Sequence, residues 1–224
     1  MKPRALSFVP FCEDEPVSIY RTDLPHWRQK DCTYFVTFRL ADSIPTNVLH
    51  GWKLEQLAWL RAHGTASNDL ITALLTLSSK LQFAFHKEFN RKLNTYLDTG
   101  IGACILKQAD IATIVKGALH HFDDTRYDLG DFIIMPNHVH LLMRPYLEHP
   151  LEVILKSIKQ FSSRAINQQL KREGTIWQRD SYDHIVRNET ELRAYQSYIA
   201  NNPAKANLPK NQYIHYQATY DLKQ

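Results

Sequence analysis

The sequence lacks the features that mark several large protein classes. No apolar run approaches the roughly 18 residues that a membrane span needs. Met1-Lys2-Pro3-Arg4 is followed by no long apolar stretch of the secretory kind, so no signal segment and no membrane association are expected. Cysteine is sparse: Cys12, Cys32 and Cys104 stand far apart, and no C-x-x-C occurs. Three scattered thiols fit neither a disulfide scaffold nor a cysteine zinc site, and a reducing, cytoplasmic setting is the expectation. There is no internal repeat and no Gly/Ser linker. There is also no phosphate-binding glycine loop, because Thr99-Gly100-Ile101-Gly102 lacks the Gly-Lys-Ser/Thr ending.

What is present is an ordinary globular composition. Hydrophobic residues make up 44% and charged residues 22% of 224, which excludes a disordered or collagen-like chain. The length suits one domain, or one core carrying an insertion. Lys and Arg outnumber Asp and Glu by 27 to 23, a mild excess that permits nucleic-acid binding without arguing for it. The placement says more. Between Leu151 and Arg172 lie Lys156, Lys159, Arg164, Lys171 and Arg172 against the single acid Glu152.

The order of elements predicts an α+β fold. Thr33 to Leu40 is β-branched and aromatic and reads as a strand ended by Pro45. Residues 47–97 carry leucines at helical spacing, broken at Gly64. Asp110 is placed to cap a helix bearing Ile111, Ile114, Val115 and Leu119. Strands are expected at Tyr127 to Met135 and His138 to Met143, separated by a bend at Pro136-Asn137. Leu151 to Lys171 is an amphipathic helix. A last helix starts at Asn188, with Glu191 in capping-box spacing, and is expected to stop at Pro203. Antiparallel strands covered by helices follow from this order. Residues 1–32 and 209–224 read as irregular tails.

Two clusters carry chemical potential. In His138-Val139-His140 the strand period puts both imidazoles on one face, a paired ligand for one divalent cation. The bland alternative is two hydrogen-bonded histidines on a half-exposed strand. In Trp177-Gln178-Arg179-Asp180-Ser181-Tyr182-Asp183-His184-Ile185-Val186-Arg187, Tyr182 offers a phenol and His184 shares its side of an extended segment. Arg179 and Arg187 carry forked donors suited to phosphate. Here the alternative is an edge strand with a packed tyrosine. The basic helix is either a solvated face or a DNA-facing one. Trp27, Tyr34, Phe35 and Trp177 are more naturally core than base-stacking platforms.

Met135-Pro136-Asn137-His138-Val139-His140-Leu141-Leu142, Lys156-Ser157-Ile158-Lys159, Trp177-Gln178-Arg179, Tyr182 to Arg187 and Tyr198-Ile199-Ala200-Asn201-Asn202-Pro203-Ala204-Lys205-Ala206 together resemble the REP-associated tyrosine transposases of the HUH superfamily. The resemblance spans Thr33 to Leu40 and Ala109 to Leu208. It implies a ferredoxin-like (RRM-like) antiparallel sheet covered by helices, with 33–46 and 98–208 as the catalytic core and 47–97 as a helical insertion. It also implies cutting of single-stranded DNA beside hairpins through a covalent 5′-phosphotyrosine. On this resemblance His138 and His140 hold Mg²⁺ or Mn²⁺. His184, or next Asp183, is the third ligand and Tyr182 the nucleophile. Many members have the tyrosine one residue earlier, where this chain has Ser181. Lys156, Lys159, Arg164, Arg179 and Arg187 are the expected DNA contacts, hairpin or single-stranded DNA the expected partner, and a monomer the expected state. The alternative is an inactive or repurposed nucleic-acid-binding module on the same fold.

Overall fold

The structure is a computed structural model that describes residues 5–22 and 25–221. Its strands are β1 (Ala5–Ser7), β2 (Ser18–Arg21), β3 (Pro25–Arg28), β4 (Tyr34–Arg39), β5 (Tyr127–Ile134), β6 (His138–Pro145), β7 (Tyr182–Ile185), β8 (Ile214–Tyr216) and β9 (Thr219–Asp221). Its α-helices are α1 (Thr46–Ala62), α2 (Leu70–Leu75), α3 (Ser79–Leu97), α4 (Ala109–His120), α5 (Leu151–Gln169) and α6 (Glu189–Lys205).

The central sheet has the order β7-β4-β6-β5-β8, and every neighbouring pair is antiparallel. Taking β4, α4, β5, β6, α5 and β7 in chain order gives the β-α-β-β-α-β succession of a ferredoxin-like fold. Helices α1, α2 and α3 interrupt the first crossover, so the expected insertion is three helices rather than two. The insertion packs around its own small core of Leu60, Leu70, Ala73, Leu74, Leu77 and Phe85.

Every residue of β4 is buried, because the sheet is covered on both faces. Strand alternation divides it. Tyr34, Val36 and Phe38, with Val139, Leu141 and Met143, join the core beneath α4 and α5. Phe35, with Ile133 and Leu142, meets Leu192 and Ile199 of α6 on the other side. Tyr34, Phe35 and Trp177 are buried in the core, as expected, whereas Trp27 is only partly buried against it. Trp177 is 4% exposed, packs edge-on to Phe38 and donates to Ser162 Oγ at 2.9 Å.

Three expectations need correction. The supposed tails contain ordered strands: β2 and β3 form a hairpin, β1 pairs in parallel with β9, and β8 extends the main sheet. These strands are three or four residues long, too short to show periodicity. Residues 1–4, 23–24 and 222–224 of those segments lie outside the described residues. Asp110 sits in the first turn of α4, whose cap is Gln108. Pro203 does not stop α6, which runs on to Lys205. A proline so near the end sacrifices a single backbone bond, and the buried packing of Asn202 and Pro203 holds the last turn in place. The start of α6 is as expected, with Asn188 Oδ1 accepting from Glu191 N at 2.9 Å.

Candidate active site

The tight connection between β5 and β6 sets the first histidine. Met135 N donates to His138 O at 2.8 Å, and Leu40 N donates to Asn137 O at 2.9 Å. The two bonds fix the bend on both sides. His138 and His140 then project to the α6 face, with ring centroids 4.5 Å apart, and both are fully buried.

Their hydrogen bonds define the lone pairs. Asn137 Nδ2 donates to the carbonyls of Leu97 and Ile101, so its Oδ1 is left as an acceptor for His138 Nδ1 at 2.7 Å. His138 Nε2 is therefore an unprotonated nitrogen, and it is buried with no hydrogen-bond partner among the described residues. His140 Nδ1 lies 2.7 Å from Thr37 Oγ1, and its Nε2 lies 3.3 Å from the hydroxyl of Tyr198. Burial pushes His138 down to about 3 and, with His138 beside it, holds His140 well below the usual range, so both rings are neutral ligands.

Tyr198 and Asn202 are four residues apart on α6 and so share one face of the helix. Asn202 is fully buried, and neither its oxygen nor its nitrogen makes a well-formed hydrogen bond, although its amide lies near enough to favour the Tyr198 phenolate. Burial, and then Asp98, push the Tyr198 phenol up from its ordinary value. Lys205 Nζ stands 5.1 Å from the Tyr198 ring centroid. Unsatisfied buried polar atoms are rare in folded chains. Among the described residues they occur on Thr65, Asn94, Asp98, His138, Asn167 and Asn202, and of these His138 adjoins His140 and Asn202 lies one turn from Tyr198.

The structure brings some of the expected residues together and separates others. Tyr182 is on the histidine face: it pairs with Thr37, which pairs in turn with His140. Its phenol, pushed up by burial, is polarised by Asn90 of the insertion and by Tyr195. His184 Nε2 is 3.0 Å from Glu191 Oε1. The Phe35 ring lies between His184 and the pair, opposite His184 in register, stacked on His140 at 5.5 Å and on Tyr195 at 4.1 Å. Asp183 points to the opposite face, where Arg28 Nη1 donates to it at 2.7 Å and His26 Nδ1 lies 2.8 Å away. Among the described residues, no group of three His, Cys, Asp or Glu side chains is placed to hold a metal ion. Two imidazoles with an amide oxygen and a phenol form a different donor set.

Lys156, Arg164 and Arg179 share a groove of about 750 Å³ between α5 and the segment 174–181. Lys159 lines it too, but its Nζ donates to the carbonyls of Gln178, Arg179 and Asp180 at 3.0, 2.9 and 3.4 Å. Burial lowers that ammonium to about 8. Arg187 lies apart, its guanidinium 4.7 Å over the ring of Phe83.

Residues 105–202 match the family model described as IS200-like transposase. That segment, less than half of the 224-residue chain, is similar to the IS200-like transposase family. It contains both histidines, the groove residues Lys156, Arg164 and Arg179, Tyr182, Tyr198 and Asn202. The chain is also similar to a Haemophilus influenzae protein described as a REP-associated tyrosine transposase, 34% identical over 85 residues. That match covers 32% of this chain and 47% of the relative, so the chain spans about half the length of the curated protein it matches. A solved structure of a REP-associated tyrosine transposase bound to a REP hairpin is similar over 86% of this chain and 76% of that one, with 16% identity and a TM-score of 0.44. Within residues 105–202, sequence pattern assigned no role to Tyr198 or Asn202. A signal was available: a tyrosine and an amide four apart on the helix that follows the His-x-His strand.

Proposed function

We propose that this chain cuts and rejoins single-stranded DNA beside a hairpin, with Tyr198 as the attacking group. The observation that carries the reading is the contact between the Tyr198 hydroxyl and His140 Nε2 at 3.3 Å, beside the unsatisfied His138 Nε2 and Asn202 amide. A divalent cation fits that donor set: His138 Nε2, His140 Nε2 and Asn202 Oδ1 would hold it, and the mixed nitrogen and oxygen ligands suit Mn²⁺ or Mg²⁺. When bound, it supplies Lewis acidity to a phosphate oxygen and charge for a nearby phenolate.

The chain's own residues do the rest. The Tyr198 phenol gives up its proton and its oxygen forms a bond to phosphorus. The bond from phosphorus to the 3′ oxygen breaks, and that oxygen takes up a proton to leave as a 3′ hydroxyl. The product is a 5′-phosphotyrosine, and the reverse transfer needs no outside energy source. Lys205 Nζ stands over the Tyr198 ring and its charge acts on Asp98, the acid that, after burial, raises the phenol. Lys156, Arg164 and Arg179 line a groove suited to the DNA backbone, with salt-dependent affinity.

The test incubates a labelled single-stranded hairpin oligonucleotide with Mn²⁺ or Mg²⁺ and looks for a covalent protein–DNA adduct. The adduct is expected to vanish in Tyr198→Phe and in His138→Ala and to persist in Tyr182→Phe. The reverse pattern would return the nucleophile to Tyr182. Tight binding without adduct in the unaltered protein would leave a binding module, and cleavage surviving in both tyrosine variants would point to an activated water.

A further inference from the structure

Between the helical insertion and the sheet lies a second cavity, of about 550 Å³. That volume falls in the range of roughly 300–1,000 Å³ usual for ligand sites. One wall is apolar and aromatic and comes from the insertion: Trp52 of α1, Phe89 and Leu93 of α3. The opposite wall is β4, through Thr37 and Arg39. Thr37 is the hydrogen-bond partner of His140, and Arg39 sits in register beside His138, so the cavity abuts the buried histidines.

The charges on this wall are unevenly committed. Arg39 is 8% exposed, and its hydrogen bonds go to neutral acceptors, Leu40 O and Ser43 Oγ. Lys53 lines the same space. Of the acids there, Asp69 is taken up capping α2 through Thr72 N at 2.8 Å, and Asp183 is held by Arg28 and His26. Asp180 is the remaining attraction on Arg39. A buried guanidinium sharing a space of this size with an indole and a phenyl suits a base with a phosphate attached.

We infer that this cavity receives a nucleotide of the single strand next to the cut, its base against Trp52 and Phe89 and its phosphate on Arg39. The inference rests on the DNA chemistry proposed above and adds a subsite to it. The insertion thereby becomes part of the substrate surface, and the strand reaches the histidines from the Thr37 side.

The test measures fluorescence anisotropy of labelled oligothymidylate and oligodeoxyadenylate, without hairpins, on the full chain in EDTA. Trp52→Ala, the cavity-filling Leu93→Trp and Arg39→Gln are each expected to weaken binding roughly tenfold, the scale of one lost base stack. Binding of a blunt hairpin is expected to be unchanged. Circular dichroism melting checks each variant. Arg39 is buried, so if its variant does not fold, the two insertion variants decide. Unchanged affinity in those two, or no binding of either oligonucleotide by the unaltered protein, would overturn the subsite. The two readings fail separately: normal adduct formation with unaffected variants removes the subsite alone, whereas weakened variants without any adduct remove the strand-transfer chemistry alone.

Discussion

Asn137 Oδ1 accepts the Nδ1 proton of His138 at 2.7 Å while its own Nδ2 donates to Leu97 and Ile101, at the end of the insertion and just beyond it. The side chain thus transmits the position of the insertion to one imidazole and fixes the tautomer of that ring. Asn137→Ala removes both functions without touching DNA. The concentration of Mn²⁺ needed for half-maximal cleavage is expected to rise about 10- to 100-fold, the usual effect of losing a partner behind a ligand. The rate at saturating Mn²⁺ should change far less, and hairpin binding in EDTA should not change. A metal titration that superimposes on that of the unaltered protein would remove Asn137 from this role.

Lys156 and Lys159 are three residues apart on α5, yet the structure gives them different work. Lys156 is exposed on the groove, and Lys159 is spent on three carbonyls of the loop that follows Trp177. Lys156→Ala is therefore expected to lower the slope of log affinity against log salt by about one. Lys159→Ala should destabilise the fold by about 1–3 kcal/mol by stranding carbonyl acceptors. Urea unfolding and salt-dependent anisotropy on the same two variants check this. Equal slope changes would mean that Lys159 faces the phosphates after all.

The legible part of this molecule was the part with a period. Alternation at His138 and His140 set both rings on one face, and the Asn188 cap placed the start of α6. The convergence of α6 on β6 was not legible, because nothing local in Tyr198 or Asn202 says which sheet face the helix will cover. That depends on Leu192 and Ile199 meeting Phe35 and Leu142 across the sheet. Tyr182 looked chemical for a local reason, its nearness to His184 and Asp183. A strand places neighbours on opposite faces, and here Asp183 went to the Arg28 side.

Asp183 supplies a stability that depends on pH. Burial would raise its carboxyl, but the His26 hydrogen bond and the Arg28 charge outweigh it and hold the group below its ordinary value. A depressed carboxyl contributes stability above its unfolded value, near ~3.9, and loses it as the pH falls through the folded value. Asp183→Asn keeps the shape and removes the charge. At neutral pH it should cost about 1–3 kcal/mol, because Arg28 loses its more buried partner while keeping Glu152 Oε2 at 3.0 Å. The difference between the two proteins in urea unfolding should shrink below about pH 4. A gap that stays constant into acid would mean that the carboxylate charge contributes nothing.

Gly130 offers a test of how the chain's last strand is held. It lies in β5 at the register shift between Leu129 and Phe132, and an added Cβ would collide with the hydroxyl of Tyr220 and come within 2.9 Å of Leu142 Cβ. The Tyr220 ring is thus pressed against backbone that only glycine leaves open, which docks β9, and β1 with it, on the sheet. Gly130→Ala is expected to cost about 1–3 kcal/mol through overpacking. Hydrogen exchange should speed up most in β1 and β9 and less in β6, which meets the added Cβ at Leu142, while β4 stays protected. Adduct formation should then survive at temperatures where the variant is folded. Loss of protection reaching β4, which does not meet the added Cβ, would show that the terminal strands support the active site rather than merely resting on its far edge.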